Sequence, residues 1–207
     1  AAFLLWRHSG TIYIGLHPWR PDLGDSVILS LTSSTLAAFV AGWIALLLHE
    51  FGHAAAAEAV GVRLWGMRLG MGPTLWRGSV NGRQIQIHAL PFLGGITLLD
   101  ADADAIGYRD VTAGRWRFEW GPEAWRAPII SAAGGLSNVI GVLMFLGTWQ
   151  IASATGGHPF ARDVLLYGIV ANLAGYLNLL PSSRSDGGHL LAHFQAARIS
   201  AGSLMAR

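Results

Sequence analysis

The sequence predicts a membrane α-helical fold: three spans, a small membrane-associated β-sheet with a hairpin, and a C-terminal helix. Composition points there first. Hydrophobic residues make up 52% of the 207 residues and charged residues only 13%, with a mean hydropathy of +0.42. That balance is typical of integral membrane proteins. Proline-free apolar runs of membrane-crossing length recur along the chain. Between the first two runs lie short alternating stretches bounded by turn residues, the pattern of strands. We read residues 1–207 as a single domain.

The elements follow in order. Residues 3–18 carry two short β-type runs around His8-Ser9-Gly10 and predict a hairpin. Pro18, Pro21, Asp22, Gly24 and Asp25 then break the chain. From Val27 to Val60 there is no proline, and no charge before Glu50. Residues 27–60 therefore predict the first span and its continuation, ended by Gly61. Residues 62–99 predict a small sheet at the membrane face, with turns at Gly72-Pro73, Asn81-Gly82 and Gly94-Gly95. Residues 100–126 read as a polar, tryptophan-containing loop. Its Asp100, Asp102 and Asp104 fit a solvated loop better than a calcium site. Residues 127–151 predict the second span, whose Gly134, Gly135 and Gly141 allow close helix approach. Residues 164–180 predict a short third span ended by Pro181, and residues 187–206 a last helix.

Charge and cysteine content narrow the function. A net charge of +2 gives no basis for nucleic-acid binding, and with no cysteine neither disulfides nor thiolate metal sites exist. All 14 basic residues are arginine. Arg63, Arg68, Arg77, Arg83, Arg109, Arg115, Arg117 and Arg126 lie between the first two spans or at their edges, and Arg184, Arg198 and Arg207 lie in the tail. Arg7, Arg20 and Arg162 fall on the other side. Positive loops stay inside, so the expected integral membrane protein has its N-terminus outside and residues 62–126 in the cytoplasm.

The chemistry centres on His49-Glu50-Phe51-Gly52-His53. Histidines four apart share a helix face, and a glutamate beside two such zinc ligands can act as general base. An ionisable group in a membrane helix is a functional hypothesis by default. With three spans, the first and third run in the same direction, so Asp186 reaches the depth of His49 and His53. Two histidines and a carboxylate make three zinc ligands and leave one position open. Zn2+ would activate water, with Glu50 taking its proton. Asn178 and Asn138 also read as helix-packing amides. His189 and His193 repeat the four-residue spacing, but Leu190 stands where a glutamate would be, so that pair lacks a base.

These residues resemble the site-2 protease family of intramembrane zinc metalloproteases. HEFGHAAAAEAVGV resembles the family's first zinc helix, GMGPTL and ALPFLGGITLL its strand-and-loop, SAAGGLSN its second span, and GIVANLAGYLNLLPSSRSDGG its Asn-x-x-Pro…Asp-Gly helix. The resemblance implies His49, His53 and Asp186 as zinc ligands and Glu50 as catalytic base. It implies that Asn178, Pro181 and Asn138, with Gly94 and Gly95 of the loop, shape the substrate site. It also implies cleavage within or next to transmembrane segments, at an active site toward the cytoplasmic side. The expected partners are the lipid bilayer and single-span membrane protein substrates, such as anti-sigma-factor-like or regulatory proteins. Three departures stand out. Gly135 replaces the usual proline, Pro91-Phe92-Leu93-Gly94-Gly95 carries one extra residue, and Arg184 and Ser185 replace a usual Pro-Leu. The turn at 152–163 has no room for a PDZ domain, so a minimal core without PDZ or CBS domains is expected. Two other readings compete. One is another membrane HExxH protease with a glutamate ligand (Glu58, Glu119 or Glu123). The other is a catalytically silent metal-binding scaffold.

Overall fold

The computed structural model describes the backbone of residues 4–8, 11–15, 24–98, 108–111, 115–118, 123–182 and 185–205, and the side chains of residues 31–96, 123–182 and 185–198. The expected turn at Ser9-Gly10, Asp100, Asp102, Asp104 and Arg184 lie outside the described residues. The chain forms two units, Ala1–Leu36 and Ala37–Arg207.

In the first unit, β1 (Leu4–His8) pairs antiparallel with β2 (Thr11–Gly15), so the predicted hairpin is present. Helix α1 spans Gly24–Ala59 and begins in this unit. It starts earlier than the sequence reading placed it, taking in Gly24 and Asp25. Acidic residues are compatible with a first helical turn, where the macrodipole favours negative charge. Its 36 residues make a rod about 54 Å long.

In the second unit, the buried face of α1 is an alanine stripe at four-residue spacing. Ala37, Ala41 and Ala45 lead into His49 and His53 and on to Ala57, all buried. Small side chains let neighbouring backbone come close to this face. The hydrophobic core lies at the foot of α1, where Ala54, Ala57, Val62 and Leu64 pack with Ala127 and Ile130.

The expected small sheet is built from two long strands, β3 (Leu64–Val80) and β4 (Arg83–Leu98), paired antiparallel. Asn81 (φ 50) and Gly82 (φ 78) form the connecting turn. Two successive left-handed residues match the twist of a hairpin, as Asn-Gly predicts. Gly72-Pro73 does not turn the chain back. Gly70 and Gly72, both at positive φ, instead bend β3 at an irregularity in the pairing. Ser79 and Val80 face Gln84 and Arg83, and beyond the irregularity Met67 to Leu69 face Ile96 to Gly94 in the same register. Opposite Gly70, the residues Pro91 to Leu93 bulge, with Leu93 at φ 58. The extra residue of this loop is absorbed there, and Pro91 rests on Gly42 of α1.

Residues 100–126 are more than a loop. Strands β5 (Tyr108–Val111) and β6 (Arg115–Phe118) form another antiparallel pair. Helix α2 spans Arg126–Ala154 and contains the predicted 127–151 span. Helix α3 runs Pro159–Tyr176, followed by a 3-10 turn at Leu177–Leu179, and α4 runs Asp186–Met205.

Among the described residues, two helical segments are long and apolar enough to cross a membrane, Leu31–Ala59 and Arg126–Ala154. The third expected span is not among them. Helix α3 takes Arg162 and Asp163 into its beginning and ends at Tyr176. Its uncharged part is about 20 Å long, short of a hydrocarbon core of about 30 Å.

Candidate active site

The site is assembled from the foot of α1, the middle of α2 and the start of α4. Helix α1 presents His49 and His53 one turn apart, their rings 4.8 Å between centroids and 85° between planes. Asp186, the first residue of α4, meets both. Its Oδ2 lies 3.1 Å from His49 Nε2 and 3.3 Å from His53 Nε2. The two Nε2 atoms are 3.2 Å apart.

These three atoms form a nearly equilateral triangle that fits a zinc ion. Tetrahedral ligands about 2.0–2.1 Å from zinc stand about 3.3 Å from one another. The donors are those zinc prefers, two imidazole nitrogens and a carboxylate oxygen. Among the described residues this is the one group of three or more acidic, histidine or cysteine side chains gathered closely enough to hold a metal. The ligand set expected from the sequence is therefore brought together.

Each ligand is held from behind. His53 Nδ1 lies 2.7 Å from the Ile130 carbonyl oxygen, which can only accept, so Nδ1 carries a proton and Nε2 is left to the cluster. His49 Nδ1 lies 2.8 Å from the Asn138 amide. Asn178 Nδ2 donates to Asp186 Oδ2 at 2.7 Å. Burial works against ionisation of Asp186, but the adjacent His49 and His53 outweigh it and hold the carboxyl well below the usual carboxylate range.

Local structure explains why Asp186 sits there. Ser185 is the N-cap of α4. Its Oγ accepts from Gly188 N at 3.1 Å and from Ser182 N at 3.0 Å, and it donates to the Leu180 carbonyl at 2.6 Å. Gly187 and Gly188 are needed because the backbone of Leu179 to Ser182 lies where their side chains would be. The Asp-Gly-Gly sequence thus folds the preceding loop onto the helix start.

Glu50 is 3% exposed, and its Oε2 has no hydrogen-bond partner. Strand β4 passes directly against it, since a Cβ on Gly94 would collide with the Glu50 carboxylate. A buried carboxylate with one free oxygen, beside a zinc-type ligand triangle, can take a proton from water.

The comparisons with known proteins bear on this geometry. The family model described as Peptidase family M50 matches residues 37–162. The chain belongs to peptidase family M50. The match includes His49, Glu50, His53 and Asn138 but stops before Asp186, so geometry carries the third ligand of this M50 chain. Similar bacterial proteins include three named "Putative zinc metalloprotease". One from Chlamydia trachomatis is 33% identical over 54% of this chain and 20% of its own length. One from Nostoc is 35% identical over 55% and 30%, and one from Xylella fastidiosa is 28% identical over 77% and 34%. The M50 chain thus aligns with a fifth to a third of the length of these relatives.

Asn138 and Asn178, expected at the substrate, contact the ligands His49 and Asp186. Gly94 lies on Glu50, Gly95 borders open space, and Pro181 is exposed. Among the described alternative ligands, Glu58 pairs with Arg83 and Glu123 with Arg126, so neither joins the M50 cluster. His189 and His193 form no metal group with a third side chain among the described residues. Burial, then the neighbouring His189, pushes His193 down to about 4. The sequence marks Gly134 only as a small packing residue. A Cβ there would strike the His53 ring, and its spacing of four from Asn138 on one helix face is the signal that could have identified it.

Proposed function

We propose that the chain is the catalytic core of a zinc-dependent endopeptidase that hydrolyses peptide bonds within or next to transmembrane segments of membrane proteins. The observation that carries this reading is the triangle of His49 Nε2, His53 Nε2 and Asp186 Oδ2 beside the buried Glu50. Zinc, when bound, supplies a Lewis acid that polarises the scissile carbonyl and acidifies water. Glu50 accepts the proton of the attacking water and delivers it to the leaving nitrogen. Asn178 holds the Asp186 carboxylate, and Ile130 holds His53.

Membrane embedding is supported by what the helices expose. Leu36, Leu136, Ile140, Leu143, Met144 and Ile151 are each more than half exposed, which suits lipid and not water. We read the N-terminus as outside, the site toward the cytoplasm, and α3 as a short third span, with the arginine distribution as the support. A helical substrate hides its backbone in internal hydrogen bonds and must unwind to be cut. Gly94–Leu98 pairs on one side with Leu64–Leu69, and Gly94 touches Glu50. An unwound segment added to that edge as a strand would lie beside the base. Single-span membrane proteins, including anti-sigma-factor-like regulators, are the fitting substrates.

The test compares the parent with Glu50→Gln and Asp186→Ala on a co-reconstituted single-span substrate. Glu50→Gln should keep zinc and lose cleavage by at least about a hundredfold. Asp186→Ala should lose zinc. Equal cleavage by parent and Glu50→Gln would reject the mechanism, and a parent that binds zinc without cleaving any membrane segment would favour a metal-binding scaffold.

A further inference from the structure

The geometry points to Asn138 as a positioning residue that selects the metal-binding tautomer of His49, and not as a substrate contact. Asn138 is 1% exposed, and its Nδ2 lies 2.8 Å from His49 Nδ1. A ring nitrogen binds metal only through a bare lone pair. Nε2 of His49 is the atom in the ligand triangle, so in the ligand form the proton sits on Nδ1 and needs an acceptor. The amide's acceptor is Oδ1. With Nδ2 kept toward the ring, as it lies in the structure, Nδ1 would have to accept, the proton would move to Nε2, and His49 could not be a ligand, so metal binding requires the amide turned over.

With Nδ2 toward His49, Oδ1 is a buried oxygen without a partner, an arrangement that costs about 1–3 kcal/mol. Turning the amide gives that oxygen the Nδ1 proton of His49 and puts Nδ2 in its former place, so the ligand role of His49 Nε2, and not burial, chooses the orientation. The turn needs no extra room, because it exchanges two atoms of similar size. Sideways displacement is blocked, since α3 presents Gly175 directly against this amide and any Cβ there would collide with it. His53 is the internal precedent, its Nδ1 proton going to the Ile130 carbonyl. Helix α2 therefore supplies one oxygen acceptor to each imidazole, Ile130 O to His53 and Asn138 Oδ1 to His49. Fixing the outer nitrogen of a ligating histidine orients the ring and raises its basicity.

The inference rests on the zinc reading of the site, and the experiment separates the two. Zinc affinity is measured by chelator competition on the purified full chain in detergent, for the parent, Asn138→Leu and Asn138→Asp, with thermal unfolding as a check on folding. Asn138→Leu should bind zinc about 10–100-fold more weakly. Asn138→Asp, whose carboxylate can accept the same proton, should bind within a few-fold of the parent. At saturating zinc the Leu variant should keep the parental KM for a cleaved membrane segment. Parental zinc affinity in folded Asn138→Leu, or a tenfold loss in folded Asn138→Asp, overturns the assignment. So does a raised KM with zinc binding unchanged. If Asn138→Leu does not fold, the Asp variant alone decides. A parent that binds no zinc removes the zinc reading itself, whatever Asn138 does.

Discussion

Each ligand side chain is gripped at two points, one toward the cluster and one toward the scaffold. For Asp186 the second grip is doubled, by Asn178 at 2.7 Å and by the helix cap formed at Ser185. Ser185 stands where the resembled family usually has leucine, and here the hydroxyl takes over the task of starting α4. Replacing a serine N-cap by alanine costs about 1 kcal/mol. Ser185→Ala should therefore lower the unfolding free energy by about that amount in a detergent denaturation series and weaken zinc binding through the loosened Asp186. Ser185→Asp should recover most of the stability. An unchanged unfolding midpoint in Ser185→Ala would remove the cap from the account.

At the scale of elements, α2 is the frame against which the zinc-type helix is set. Ser137 Oγ reaches the Leu48 carbonyl of α1 at 2.8 Å, and Gly52 is small because Ser137 and the Ala133 backbone fill the space beside it. The small residues of 127–151 were readable as a close-approach pattern. Which neighbour each one admits was not, because periodicity gives a face and not the partner that covers it. Two glycines separate metal positioning from proton transfer. Gly134→Ala puts a methyl group on the His53 ring, and Gly94→Ala puts one on the Glu50 carboxylate. Gly134→Ala should lose zinc affinity by about tenfold or more. Gly94→Ala should keep zinc and lose kcat. Metal analysis and steady-state cleavage measured together check the split, and loss of zinc in both variants would contradict it.

At the scale of the whole molecule, α1 and α2 expose many apolar side chains, while His49, Glu50, His53 and Asp186 are gathered in one largely buried site. The chain has no cysteine, so single cysteines report orientation cleanly. With residues 62–126 inside, Ser79→Cys should react with an impermeant maleimide only after cells are opened, and Thr155→Cys in intact cells. The reverse pattern would invert the proposed topology. Acid stability is a second global property. His193 is held at about 4 in the folded chain against about 6.5 when unfolded. The unfolded state takes up the proton first, so the contribution of the neutral ring is complete above pH 6.5 and is lost as pH falls from 6.5 toward 4. The loss is up to about 3 kcal/mol. His193→Gln should flatten the unfolding midpoint across that window, and an equal slope in parent and variant would rule His193 out as its source.

Composition and local pattern by themselves determined the apolar helices, the Asn81-Gly82 turn and the shared helix face of His49 and His53, because each depends on neighbours within a few residues. Asp186 as third ligand came instead from the expected direction of the spans and from the family resemblance. Tertiary structure alone decided what lies behind those ligands. Asn138 and His49 are 89 residues apart, and their meeting depends on how two helices cross. So do the collision that keeps Gly134 a glycine and the approach of β4 to Glu50. The third span shows the same limit from the other side. The apolar run after residue 163 reads as one continuous stretch, but the helix tightens into a 3-10 turn after Tyr176, where Asn178 turns to hold Asp186.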